Sequence, residues 1–295
     1  MEQVVKKPPK RKVRMGVADY IVYACLILFA FITFYQIFYV VIGSFSNGQS
    51  YAAGGVYFFP RDFTLKNYEI ILKDRNFWIA YRNTILRTLV GVTTALLFTS
   101  LVAYAMTSKH LRCKKLYYSI LIFTLFFSGG IIPNYLLYRI LGLYDTFWLY
   151  IVPAMFSVYN MIIISNFYKG IPLELYEAAE MDGGTEIQIW WKVYMPLSKP
   201  VLATVALWLA VNHWNSYMGT MLYTKAGTNT NTLQFYLKHL INEAASATSA
   251  EYVDYVSAKT VSYAGIVVAL IPIMAVYPFL QKHYTRGIMT GSVKE

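Results

Sequence analysis

Six stretches of this chain, 20–43, 88–106, 116–138, 146–168, 200–224 and 260–281, contain no Asp, Glu, Lys or Arg. Each approaches or exceeds the about 20 helical residues that cross the hydrocarbon core of a bilayer. Inside lipid the backbone must bond to itself, so such runs are helices. Composition agrees: 14% of the residues are charged, against about 25% in soluble domains. The expected fold class is therefore an all-α membrane protein with six transmembrane helices.

The distribution of charge orients these helices. The net charge of +11 would suit nucleic acid if it were clustered on a folded surface, but it follows the loops instead. Lys6, Lys7, Lys10, Arg11, Lys12 and Arg14 precede the first run, and Lys109, Arg112, Lys114 and Lys115 fill the second loop. By the positive-inside rule both lie in the cytoplasm. Six crossings then return the C-terminus, with Lys282, Arg286 and Lys294, to that side. The first run is too long for a signal-peptide core and has no small-residue cleavage site.

The chain divides into a basic tail over 1–18 that touches anionic headgroups, a first helix with its outer loop over 19–78, a five-helix core over 79–285, and a cytoplasmic tail over 286–295. The outer segment 44–77 holds a turn-rich patch and then a short helix starting near Thr64. It serves either as a lid on the helix ends or as a contact for an extracytoplasmic partner. A tight turn near 142–145 and a fifth loop over 225–259 complete that side. Cys25 and Cys113 lie too far apart in topology for a disulfide and read as packing residues.

Inside the spans a few polar residues stand out. Gly129, Gly130 and Pro133 weaken the third helix beside Asn134, giving either a break that lines a wet cavity or a kink in a packed bundle. Asn160 in the fourth span is placed to bond a neighbouring helix. In the fifth, Trp208, Asn212 and Asn215 share one helical face, with Trp214 and Tyr217 flanking it and His213 turned away as a hydrogen-bonded packing residue. Rings with amides suit sugars, whose C–H faces stack while their hydroxyls bond. The same pattern also suits an aromatic-rich helix in a bundle.

Between the fourth and fifth spans, residues 172–200 read PLELYEAAEMDGGTEIQIWWKVYMPLSKP. Pro172 suits the first position of a helix, and Glu174 favours its positive end. Gly183 and Gly184 break the helix. Thr185 with Gln188 opens a second as a capping box, and Pro196 closes it. A cytoplasmic helix–Gly–Gly–helix element presents a surface to a partner. No span carries a central acidic or basic residue, which disfavours an ion-coupled transporter or channel. No P-loop, HExxH or nucleophile–base pair occurs, which disfavours an enzyme and any nucleotide site of the chain's own. Any uphill transport must draw energy from a cytoplasmic partner.

Glu177, Ala178, Ala179, Gly183, Val193, Met195 and Pro196 follow the EAA---G---------I-LP signature of inner-membrane subunits of binding-protein-dependent ABC importers, with Val193 for Ile, Met195 for Leu, and Gly184 where Ala is usual. From about residue 60 onward the segments SGGIIPNYLL, LGLYDTFW, PLSKPVLA, HWNSY and GIMTGSVK resemble MalG-type carbohydrate permeases, most closely the complex-polysaccharide and alginate subgroup. The resemblance implies the type I ABC importer permease fold in a bacterial cytoplasmic (inner) membrane. It also implies three partners: a second permease subunit, an ATPase dimer that binds ATP and Mg, and an extracytoplasmic sugar-binding protein. Residues 173–181 would be the coupling helix, with Glu177, Ala178, Ala179, Asp182 and Gly183 at the ATPase. An amino-acid or peptide importer is the alternative within the same class. No cofactor, metal or nucleic acid is expected on this chain.

Overall fold

The computed structural model describes residues 16–225, 228–246 and 257–289. The basic run from Lys6 to Arg14, part of the fifth loop and the last six residues, Lys294 included, lie outside the described residues.

The first helix, α1 (Val17–Ser44), begins where the Asp19 carboxylate accepts the Gly16 N–H at 2.8 Å. Apolar all round, it buries only Ile42, Gly43 and Ser44. A helix with no polar face needs lipid or protein around it. Two short helices follow, α2 (Gly48–Ala52) and α3 (Lys66–Lys73). The start of α3 matches the expectation, with the Thr64 hydroxyl accepting the Lys66 N–H at 3.2 Å.

Next, α4 (Arg75–Thr107) is capped by Asp74, whose side chain accepts from Asn76 N at 2.8 Å. It starts well before the charge-free window at 88 and so carries Arg87 inside a continuous helix. Arg87, one residue before that window, is buried at 6% exposure. The third run is broken into α5 (Lys114–Phe126) and α6 (Ile131–Ile140), which meet at 114°. Gly130, at φ +88°, makes the corner, a conformation in which glycine has no Cβ to clash. The fourth run bends by 47° where 3₁₀ turns (Phe147–Tyr150, Val152–Ala154) give way to α7 (Val158–Tyr168).

The loop over 172–200 forms α8 (Leu173–Met181), α9 (Glu186–Ile189), a π turn (Trp190–Tyr194) and α10 (Met195–Leu197). After it come α11 (Lys199–Asn215) and α12 (Met218–Tyr223), separated where Ser216 turns extended at ψ 122°. Residues 200–224 are thus not one helix, and α11 meets the Glu186–Leu197 helix at 85°. Finally, α13 (Leu233–Ser246) lies in the fifth loop, and α14 (Ala258–Met289) ends the described chain. Among the described residues, three helices are continuous and apolar enough to span a bilayer, or up to six if each bent pair is one crossing.

The connections gather at two ends. At one, Asn67 donates to the carbonyls of Ser44 (2.9 Å) and Ser46 (3.0 Å) and accepts from Thr260 (2.9 Å). There Ile71, Phe77 and Leu233 are fully buried among α3, α4, α13 and α14. Each such side chain contributes about 1.5–3 kcal/mol, so α3 and α13 are part of the core. In the segment 44–77, Tyr68, Ile71 and Phe77 pack on this end of the bundle. At the other end, Tyr104, Tyr168, Ile189, Trp190 and Tyr194 form the core beneath the 172–200 loop. The cysteines do not pack as expected. Cys25 is exposed on α1 and Cys113 is exposed in the left-handed region at φ +56°, just before α5.

Candidate functional site

The 172–200 loop is built by short-range rules. Pro172 is extended at ψ 134° and stands just before the helix rather than in its first position, its carbonyl accepting the Leu175 N–H at 3.3 Å. At the far end Asp182 caps α8. The Gly183 N–H then returns to the Glu180 carbonyl at 2.9 Å and the Gly184 N–H to the Ala179 carbonyl at 3.0 Å. That pair of bonds is a Schellman motif. Gly183 has φ +80°, which glycine adopts without strain, while Gly184 is closely packed, a Cβ there coming within 2.7 Å of the Ala179 carbonyl oxygen, so the alanine usual at this position would need a small shift of the turn. The Thr185–Gln188 capping box forms as expected, with bonds of 3.0 and 3.4 Å. Pro196 does not close the second helix. The π turn before it widens the coil, which lets a residue without an N–H continue the helix to Leu197.

The loop is joined firmly to the bundle. Glu186 accepts the Tyr176 hydroxyl at 2.9 Å from α8 and also accepts the Tyr104 hydroxyl from α4. Burial, together with the Glu186 hydrogen bond, pushes the Tyr176 phenol up to about 12. Tyr194 packs edge-on to Tyr104 (4.8 Å between centroids) and to Tyr168 (5.3 Å). Inward, Leu173, Tyr176 and Ala179 are half-buried at a helical spacing. Outward, Glu174, Glu177, Ala178 and Asp182 are exposed beside bare apolar side chains, Met181 at 87% and Ile187 at 68%. An acidic rim around apolar knobs has the composition of a protein-docking surface. Sequence reasoning missed Glu186; its capping-box neighbours were visible, but its tyrosine partners lie 10 and 82 residues away.

The intramembrane candidates are only partly brought together. Trp208 faces Tyr159 of α7, with centroids 6.2 Å apart and planes at 36°. Asn212 is exposed near it on the same helical face. Asn215 and Tyr217 line a separate cleft of about 380 Å³ with Gln234 and Lys238 of α13. Trp214 leaves the set. Six residues beyond Trp208 is 240° round a helix, which turns it into the core with Phe77 and Leu237, edge-on to Tyr81. Tyr217 no longer follows the helical spacing, because α11 ends at Asn215. Asn160 is buried in the first turn of α7, where its backbone N–H meets the Ser157 hydroxyl at 3.3 Å. Asn134 sits half-buried in α6, just past the broken corner.

Arg87 anchors the start of this region. It donates through Nη1 to the Ser216 carbonyl at 3.1 Å and through Nε to His213 Nδ1 at 3.4 Å, and its guanidinium lies 4.6 Å from the Tyr150 ring centre. The His213 ring occupies the space a side chain at Gly91 would fill, since a Cβ there would meet it at 2.5 Å. His213 is thus a buried packing residue bonded to Arg87. The cluster pins the break between α11 and α12 to α4. Among the described residues, no three His, Cys, Asp or Glu side chains gather as metal ligands.

Comparison with known proteins places this geometry. Protein LplC of Bacillus subtilis strain 168 is 38% identical over 266 residues, 89% of this chain and 90% of that protein. The polygalacturonan/rhamnogalacturonan transport system permease protein YtcP of the same organism is 32% identical over 281 residues, 94% and 98% of the two chains. A chain in the crystal structure of a bacterial ABC transporter involved in the import of the acidic polysaccharide alginate matches with a TM-score of 0.84. That likeness has 35% identity and covers 92% of this chain and 99% of that one. Residues 77–290, which include the whole 172–200 loop, match the binding-protein-dependent transport system inner membrane component family. The chain belongs to that family and is a transport permease subunit, not an enzyme.

Proposed function

We propose that this chain is a membrane subunit of an ATP-driven ABC importer that carries an oligosaccharide or polysaccharide fragment inward. The single observation behind this is the exposed α8–α9 element, acidic at its rim and apolar at Met181 and Ile187, tied to α4 through Glu186. In this reading the chain makes six crossings of a bacterial cytoplasmic membrane with both termini inside, and a second permease subunit lies beside it. An ATPase dimer that binds ATP and Mg receives α8, with Glu177 offering a carboxylate and Ala178 allowing close approach. An extracytoplasmic sugar-binding protein delivers the glycan. ATP-driven closure of the ATPase dimer moves α8, and the Tyr176–Glu186–Tyr104 link carries that motion to α4 as a rigid body. The glycan passes Trp208 and Asn212.

The names of the relatives favour a carbohydrate over an amino acid or peptide. Uptake into vesicles holding the reconstituted complex tests the proposal. Uptake should require ATP and the binding protein, and should be competed by oligouronides or neutral oligosaccharides. Competition by amino acids instead would reverse the substrate class. A Glu177→Lys complex that kept full, binding-protein-stimulated hydrolysis and uptake would remove the coupling role.

A further inference from the structure

The segment between α2 and α3 carries a cluster of exposed aromatic side chains. Tyr57, Phe58 and Phe59 are exposed at 62%, 58% and 81%. A loose loop could show such side chains by accident, but the base of this one is closed. Val56 is buried against Ile42 and Tyr51. The Arg61 guanidinium donates to the Gly54 carbonyl at 2.9 Å, and the Asn47 N–H reaches the Arg61 carbonyl at 3.0 Å. Ser50 donates to the Asp62 carboxylate. The aromatic tip is therefore held out by a tied frame.

Its position shows what it meets. The Tyr35 hydroxyl donates to the Tyr57 carbonyl at 3.2 Å, and the Tyr35 and Phe58 rings lie 5.9 Å apart. Tyr35 stands nine residues before Ser44, the end of α1, so the tip folds back about 13 Å along the helix. There it continues the exposed apolar surface of α1 at Phe31 and Phe34, a surface that lies in lipid if α1 spans the bilayer. No charge interrupts residues 56–60; Arg61 and Asp62 come directly after. Aromatic side chains at the end of a span, followed at once by charges, have the composition of an interfacial belt, and immersion of about 5–10 Å is the usual depth of such anchors.

We propose that residues 57–59 form a membrane-interface anchor that enters the lipid beside α1 and fixes the end of the bundle carrying α2, α3 and α13 at the bilayer surface. The proposal rests on the membrane placement of α1 and is independent of the cargo. The test uses the full importer complex in vesicles of phosphatidylcholine and phosphatidylglycerol, with Cys25→Ser and Cys113→Ser as background. Nitroxide labels are placed at Phe59→Cys, Phe58→Cys and, as a control, Ala53→Cys. The expected result is a several-fold higher ratio of oxygen to water-soluble nickel-chelate accessibility at both aromatic positions than at the control. Equal ratios at all three sites would put the loop in water and overturn the proposal. Protection from both reagents at the aromatic positions would assign the surface to a protein partner and overturn it equally. Uptake assays address cargo and coupling separately, so failure here leaves those readings standing.

Discussion

Glu186 accepts two tyrosine hydroxyls, one from α8 and one from α4, and it lies outside the family's signature positions. Hydrogen bonds to a charged group are worth about 1.5–3 kcal/mol each when buried, and less at a half-exposed site such as this. Glu186→Ala is expected to lower the stability of the loop by about 1–3 kcal/mol and to reduce uptake more than ATP hydrolysis, since motor and bundle lose their link. Parallel uptake and hydrolysis measurements check this, and equal losses would assign Glu186 to stability alone. The Tyr176 phenol is raised in the folded state to about 12. Its contribution is therefore complete below the ordinary phenol value near 10 and fades as pH rises from there through about 12. This link is thus insensitive to pH in the physiological range. Arg87 is the second such residue. Arg87→Ala strips bonds from Ser216 and His213 and leaves a void beneath Tyr150. It should cost about 2–4 kcal/mol, read as a fall in the melting temperature of the solubilised complex. Arg87→Lys should recover little, because an ammonium cannot reproduce the planar contacts.

The informative element is the helix–turn–helix of α8 and α9. Gly183→Ala forces a side chain into the left-handed region at about 1–2 kcal/mol. This changes the angle between the two helices and should weaken capture of the ATPase, even where the bundle itself melts normally. Ile187→Asp tests the surface instead of the fold. The side chain is exposed, so melting should not change, while ATPase co-purification should weaken about tenfold, the equivalent of about 1.4 kcal/mol of lost docking energy. Unchanged co-purification would place the interface elsewhere. Much of this element was legible in advance because its determinants are local: a proline, a glycine pair and a capping box within a few residues. The π turn was not. Pro196 ends an isolated helix, but here the helix continues because Trp190 and Tyr194 are buried in the core beneath it.

At the scale of the whole molecule, the native cysteines offer a topology measurement. Cys113 is exposed between α4 and α5, while Cys25 lies on the lipid-facing surface of α1 in the proposed arrangement. A membrane-impermeant maleimide should label Cys113 in inverted vesicles and not in right-side-out ones, and should label Cys25 in neither. Labelling of Cys113 from outside would reverse the orientation of the entire bundle. The number of apolar runs and their approximate places follow from the chain alone, because burial in lipid and helix capping act on near neighbours. Tertiary structure decided the rest. The 114° corner at Gly130 was visible only as a weakness, and its angle is not written in neighbouring residues. Trp214 went to the core because α4 and α13 pack on that side of α11. Arg87 entered the protein because Tyr150, His213 and the Ser216 carbonyl, 63 to 129 residues away in sequence, converge on one guanidinium. A buried charge is tolerated only where such partners meet it, and which partners meet depends on the packing of the whole chain.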